Sequence, residues 1–270
     1  MLLIALEDWV DDQPLLETRG ISKRFGSVQA LHDVSISVGH REIVGLVGDN
    51  GAGKSTFIKI LSGALVPDAG TITLEGRRAT FATPLEARRA GIETVYQDLA
   101  LAAALDAAGN LFLGREQMRP GWSGQVLHWL DKRAMRDRAG QMLAALHIRL
   151  RSITTPVENL SGGQRQAVAV ARAVSWGTKF VIMDEPTAAL GVAETARVLE
   201  LMVRIKESGL SLIFISHNLP NVFRVVDRIV VLRLGHKVGD LRRADTTMEE
   251  VVRLMTGAEF GTPSAHAAVQ

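Results

Sequence analysis

The segment Gly48-Asp49-Asn50-Gly51-Ala52-Gly53-Lys54-Ser55 has the spacing G-x-x-x-x-G-K-[ST]. Its residue types suit one task, holding the phosphates of a nucleoside triphosphate. Glycines reach backbone conformations closed to other residues and let amide N–H groups approach phosphate oxygens. A helix opening at Lys54 adds unpaired N–H donors and the positive end of its dipole. Lys54 would then face the β- and γ-phosphates, Ser55 would ligate Mg²⁺, and Thr56 would continue the phosphate-binding run. The plainer reading is a Gly-rich turn that happens to contain a lysine. An apolar strand before it and a helical pattern after it count against that reading.

A second group lies downstream. Phe180-Val181-Ile182-Met183-Asp184-Glu185 is an apolar run ending in two acids. A buried strand delivers its last carboxylate to the carboxyl edge of a sheet, where ligands bind in open α/β folds. Asp184 there would hold Mg²⁺ through its water shell, because Mg²⁺ prefers oxygen ligands and keeps several waters. Glu185 would sit by the γ-phosphate and polarise the attacking water. Alone, such a strand end is more often a solvated turn. Together with the phosphate loop it points to hydrolysis of a nucleoside triphosphate.

These residues need elements to position them, and the chain supplies an alternating series. Ile43–Val47, Phe180–Met183, Leu212–Ile215 and Ile229–Leu232 are short β-branched apolar runs, the pattern of strands buried on both faces of a parallel sheet. Helical stretches lie between them: Lys54–Leu61 closed by Gly63, Gln164–Val174 closed near Gly177, and Glu194–Glu207 closed by Gly209. The fold class is therefore α/β. Residues 15–40 and 65–82 read instead as short strands with turns, a small β subdomain. Residues 100–158 read as a mostly helical subdomain with a looser Arg119–Gly124 interruption. Residues 1–14 form an N-terminal extension and 257–270 a tail, both expected to be mobile.

Composition narrows the field. The 270 residues carry a net charge of only +2, which gives no support to a nucleic-acid partner. Zero cysteines exclude disulfides and thiolate metal sites. No stretch approaches the ~18 apolar residues of a spanning helix, and Met1–Leu6 is followed by acids rather than flanked by positive charge, unlike a signal peptide. Any membrane part would have to come from other chains.

Leu160-Ser161-Gly162-Gly163-Gln164 matches the LSGGQ signature and stands before the Asp184–Glu185 strand. In this the chain resembles the ATP-binding cassette (ABC) family over roughly residues 15–256. Ser161 and Gln164 also fit a capping box at a helix start, and both readings hold together because a capped helix start is an anion site. The resemblance implies a phosphate-loop NTPase core of the RecA-like kind with an antiparallel β subdomain and a helical subdomain. It implies that Ser161, Gly162, Gly163 and Gln164 face ATP bound by a second copy, so that two chains close around two nucleotides. It gives Gln97 the place of the glutamine that senses Mg²⁺, His217 that of the switch histidine at the γ-phosphate, and Phe25 that of the ring stacked on adenine. A lone histidine is otherwise more often structural, and a lone phenylalanine more often core.

One position departs from the pattern. Gly191 follows Pro186-Thr187-Ala188-Ala189-Leu190 where the family usually has Asp, in a loop that touches the other subunit's site. Gly91–Gln97 and Ser161–Arg172 look most like the monosaccharide-importer branch, and the single set of motifs looks like its single-cassette, fructose-import type. The expected activity is ATP hydrolysis that energises uptake of a fructose-, ribose- or xylose-class sugar. The expected partners are a second ATPase subunit, a separate permease and, indirectly, an external sugar-binding protein, with the chain peripheral on the cytoplasmic face of the membrane. Two rivals stand beside this reading: a soluble cassette acting on ribosomes or nucleic acid, and a regulatory module without hydrolysis.

Overall fold

The computed structural model describes residues 13–121, 126–150 and 152–258. Strand β3 (Ile43–Val47) lies in the middle of a six-stranded sheet. Its neighbours are β8 (Ser211–Ile215) on one side and β9 (Arg228–Arg233) on the other, both parallel to it. Beyond β8 come β7 (Phe180–Asp184) and β6 (Ile92–Val95), also parallel. The far edge is β10 (His236–Arg242), which pairs antiparallel with β9, giving the order β10-β9-β3-β8-β7-β6. Every residue of β3 and β8 is buried. That is why these strands read as continuous apolar runs without alternation.

A second sheet is wholly antiparallel. Strands β1 (Leu16–Phe25), β2 (Val28–Val38), β4 (Ala69–Leu74) and β5 (Arg77–Ala79) run in the order β2-β1-β4-β5. β1 and β2 span ten and eleven residues, longer than the short strands expected from the turn signals. Register shifts in their pairing let them bend around the core instead of breaking. Leu16, Ile21, Leu31 and Ile36 from this sheet share a core with β3 and with helix α1 (Lys54–Leu61). Phe57 of α1 and Phe180 of β7 are fully buried in it, each side chain contributing ~1.5–3 kcal/mol relative to exposure.

The remaining helices are α2 (Pro84–Arg89), α3 (Ala107–Leu111), α4 (Lys132–Ala145), α5 (Gly162–Trp176), α6 (Val192–Glu207), α7 (Leu219–Val225) and α8 (Met248–Thr256). α5 and α6 cover one sheet face: Ala169, Val170 and Ala173 of α5 and Leu199, Met202 and Ile205 of α6 bury against Val181, Met183 and Phe214. A separate core holds α3, α4 and the outer side of α5 together through Phe112, Met135, Leu143 and Ala171. Trp176 donates its indole N–H to Leu111 O at 2.8 Å and meets Phe112 edge-on.

Three expectations need correction. Gly63 and Gly209 follow their helices in the left-handed region, at φ +71° and +103°. Gly177 does not: it ends α5 in an extended conformation at φ −68°. Its glycine is required by crowding, since a Cβ there would lie 2.9 Å from Ala173 O and 3.3 Å from Val181 Cγ2. Residues 100–158 are also less helical than read. α3 and α4 are joined by turns and by a bridge between Met118 and Leu130, with Arg119 N–H donating to Trp129 O at 2.8 Å. Gly114, Pro120 and Gly121 break the helical run there. Finally, β10 makes the main sheet mixed instead of purely parallel. Residues 122–124 of the Arg119–Gly124 interruption, the extension up to residue 12 and the tail beyond residue 258 lie outside the described residues. Among the described residues no helix is long and apolar enough to cross a membrane.

Candidate functional site

The phosphate loop leaves the carboxyl end of β3 and enters α1, and its glycines are fixed by both conformation and space. Gly48, Gly51 and Gly53 have φ of +152°, +81° and +103°. A Cβ on Gly48 would lie 2.2 Å from Leu232 O, and one on Gly53 would lie 2.7 Å from Ala30 O. Side chains are therefore disfavoured by strain and by collision at Gly48 and Gly53, and by strain alone at Gly51. Ala52 is buried and ties the loop down, donating to Asp49 O at 3.1 Å and accepting from Gly235 N–H at 3.1 Å. Gly53 caps α1 with no side-chain hydrogen bond, which leaves first-turn N–H groups without a side-chain acceptor.

Lys54 folds back over the loop. Its ammonium donates to Gly48 O at 2.6 Å and Asp49 O at 2.9 Å. Burial pulls its pKa below the usual lysine value, opposed by the charges of Glu185, Asp49 and Asp184. Ser55 is exposed and Thr56 half-buried at the start of α1.

Asp184 ends β7 and sits beside Ile215 of β8 in register. Burial and then the neighbouring Glu185 push its carboxyl above the usual range, with Lys54 and Lys59 acting against them. Two adjacent acids at a half-buried sheet edge make a site that favours a cation. Glu185 is held in the left-handed region at φ +49°, an uncommon conformation for a side-chain-bearing residue. Its N–H donates to Ile215 O at 3.0 Å. Its Oε1 accepts from His217 N–H at 3.0 Å and lies 2.8 Å from His217 Nδ1, while Ser216 Oγ lies 3.4 Å from Oε2. The Glu185 side chain is 14% exposed and that of His217 is 75% exposed, so the histidine presents its ring outward from a fixed carboxylate.

Gly48, Asp49, Asn50, Gln97, Glu185 and His217 line one cavity of about 410 Å³, together with Ala188 and Met255. Residues separated by up to 207 positions in sequence thus converge at the carboxyl edge of one sheet. Phe25 does not line this cavity. It stands at the β1–β2 turn, 49% exposed, with Lys23 Nζ 5.8 Å from its ring centre, which rules out the plain reading of a core phenylalanine. Ser161–Gln164 are not brought to it either. Ser161 caps α5 in a complete capping box, accepting from Gln164 N–H at 3.3 Å while its own N–H donates to Gln164 Oε1 at 3.0 Å. Ser161, Gly163 and Gln164 line a different cavity, of about 460 Å³, between α5, α6 and Leu146–Leu150.

Several residues that support the site have no role legible in the sequence. Ser216, directly before His217, joins the Glu185 cluster. Met255 arrives from α8, a helix the apolar pattern did not mark. Arg172 of α5 donates to Leu99 O at 3.0 Å and Ala100 O at 2.8 Å, fixing the end of the loop that carries Gln97. Arg172 was visible only as part of a motif, and its partners could be found only in three dimensions.

A glycine cradle, an ammonium and two adjacent acids fit a nucleoside triphosphate and its divalent cation. Comparison with known proteins agrees. The family model described as ABC transporter matches residues 31–188. The chain is 51% identical to the fructose import ATP-binding protein FrcA of Rhizobium meliloti, over 92% of this chain and 95% of that one. It is 46% identical to the xylose/arabinose import ATP-binding protein XylG of Sulfolobus acidocaldarius, over 92% and 96% of the two chains. The crystal structure of the ADP conformation of the ATP-binding cassette MJ1267 superposes with a TM-score of 0.76 at 27% identity, covering 90% of this chain and 95% of that one. The chain therefore belongs to the ABC transporter family, as an ATP-binding and ATP-hydrolysing cassette.

Proposed function

We propose that this chain is the ATPase subunit of a sugar importer, and that residues 15–256 form its ATPase domain with a helical subdomain at about 100–158. The observation that carries the hydrolytic reading is the Glu185–His217 pair held beside the phosphate loop in one cavity. Gly48–Thr56 bind the ATP phosphates through backbone N–H groups, with Lys54 turning from its loop carbonyls toward the β- and γ-phosphates. Ser55, Gln97 and Asp184 would hold Mg²⁺, which when bound neutralises phosphate charge. Glu185 orients the attacking water and accepts its proton at a carboxylate oxygen, and His217 keeps that carboxylate aimed while its exposed ring reaches the γ-phosphate. Phe25 provides the face on which adenine stacks.

Ser161–Gln164 serve the ATP of a second copy. Their place at a capped helix start, away from this chain's own cavity, supports that reading. ATP then acts by binding the closed pair better than the open one, and hydrolysis releases it. A separate permease follows that cycle from the cytoplasmic face, and an external binding protein delivers the sugar. The relatives named for fructose and for xylose/arabinose import support a monosaccharide cargo, with fructose leading at 51% identity. They do not favour a soluble cassette acting on ribosomes or nucleic acid.

Glu185→Gln tests the proposal. The variant should bind ATP as the wild type does while phosphate release falls about a hundredfold or more, the scale of a lost general base. Hydrolysis at the wild-type rate would remove Glu185 from the role. The sugar that binds the solute-binding protein working with this chain fixes the cargo.

A further inference from the structure

Gly191 caps α6 at φ −68° and ψ 168°, backbone that any residue adopts, so conformation does not demand glycine there. Space does. A Cβ on Gly191 would lie 2.7 Å from Oε2 of Glu194, the third residue of α6. The same side chain lies across the signature turn: a Cβ on Gly163 would lie 2.6 Å from Glu194 Cγ and 3.1 Å from its Cβ. One half-buried glutamate thus fills the room left by two glycines, one at the start of α5 and one at the start of α6. Position three of a helix also suits a carboxylate, which is drawn toward the first-turn N–H groups and the positive dipole end. Arg204, which lines the same cavity, lies 3.9 Å from Glu200 and is directed to that acid instead.

We propose that Glu194 is a positioning residue that holds the Ser161–Gln164 turn in register with the Ala188–Gly191 loop and places its carboxylate where a side chain at position 191 would otherwise project. This rests on the reading that the signature turn completes the nucleotide site of a second copy. The two segments approach that site as one surface only if their spacing is fixed, and Glu194 packs between them beside Leu190, whose Cδ2 would lie 3.6 Å from a Cβ on Gly162. The negative charge at this loop then comes from α6 and not from residue 191.

The test is steady-state ATP hydrolysis by the purified full chain. Glu194→Ala should lower kcat about tenfold, as expected when reacting groups are misplaced by a fraction of an ångström to an ångström, with KM for ATP and Tm little changed. Gly191→Asp alone should also lower kcat, because its side chain meets Glu194 and adds a like charge. The double variant Glu194→Ala with Gly191→Asp should recover to within about threefold of wild type, the signature of two coupled positions. Wild-type kcat in Glu194→Ala, or no recovery in the double variant, overturns the proposal. If Glu194→Ala does not fold, Glu194→Gln carries the same test, with a lowered kcat at unchanged KM expected and a wild-type kcat overturning. Ser161→Arg in the same assay separates the two levels. Wild-type turnover by that variant ends the shared-site reading itself, whereas its inactivity beside a fully active Glu194→Ala ends only the role of Glu194.

Discussion

The two ends of the ATPase machinery are built differently. At the phosphate-loop end, the main groups follow strand termini: Gly48 from β3, Glu185 from β7 and His217 from β8. These strands are buried on both faces, and their register fixes the groups against one another. At the signature end, Ser161–Gln164 open a helix whose own cap satisfies them, and they look into a cavity shared with α6 and Leu146–Leu150. The first end gathers its groups within one chain. The second opens on a cavity lined by none of the phosphate-loop residues. On the proposed reading, a site assembled from two such halves is switched by bringing chains together.

The strongest way to break this contrast is at the first end. Lys54→Ala should abolish measurable ATP binding and turnover together, while Glu185→Gln should remove turnover and spare binding. Nucleotide titration alongside phosphate release tells the two apart. If Lys54→Ala binds ATP normally, the loop is not the phosphate cradle.

His217→Ala comes next. The ring is largely exposed, so Tm should hold, whereas kcat should fall by about ten- to a hundredfold through the loss of a group that orients the carboxylate. A lower Tm with unchanged kcat would make the histidine structural.

Phe25→Ala should raise KM for ATP about tenfold, the scale of one lost base-stacking contact, with kcat near wild type. Equal KM values would take the ring out of the adenine site.

The smallest effect concerns stability. Burial and Glu185 raise the Asp184 carboxyl, so the folded protein holds that proton more tightly than the unfolded chain does. The penalty is present above the raised folded value and fades as pH falls toward the unfolded carboxyl value near about 3.9. Asp184→Asn should therefore raise Tm of the nucleotide-free protein by a few degrees at pH 7, with the gain shrinking on acidification. Differential scanning measurements at both pH values check it, and a Tm decrease at pH 7 would show that Asp184 is stabilised rather than strained. The same variant should lose Mg²⁺-dependent hydrolysis.

Much of this architecture was legible in the residues. The phosphate loop declared itself because its chemistry is local: the glycines, the lysine and the helix start are contiguous, and each is needed for a reason stated within eight positions. The buried strands could be read because sheets covered on both faces require unbroken apolar runs. The capping box at Ser161 was written in the same local code. What the residues left open depends on contacts between elements, some near in sequence and some far along the chain. Long strands β1 and β2 follow from pairing that accommodates register shifts, antiparallel β10 from an edge left open beside β9, and the extended Gly177 from crowding by Val181. Arg172 and Met255 carry no local signal, since their partners lie dozens to hundreds of residues away. Gly191 is the clearest case. The sequence marked it as a missing side chain; Glu194 reaches its space from three positions on, but only the tertiary structure lays that same side chain against Gly163, because two helix starts 30 residues apart are brought together by packing on one sheet.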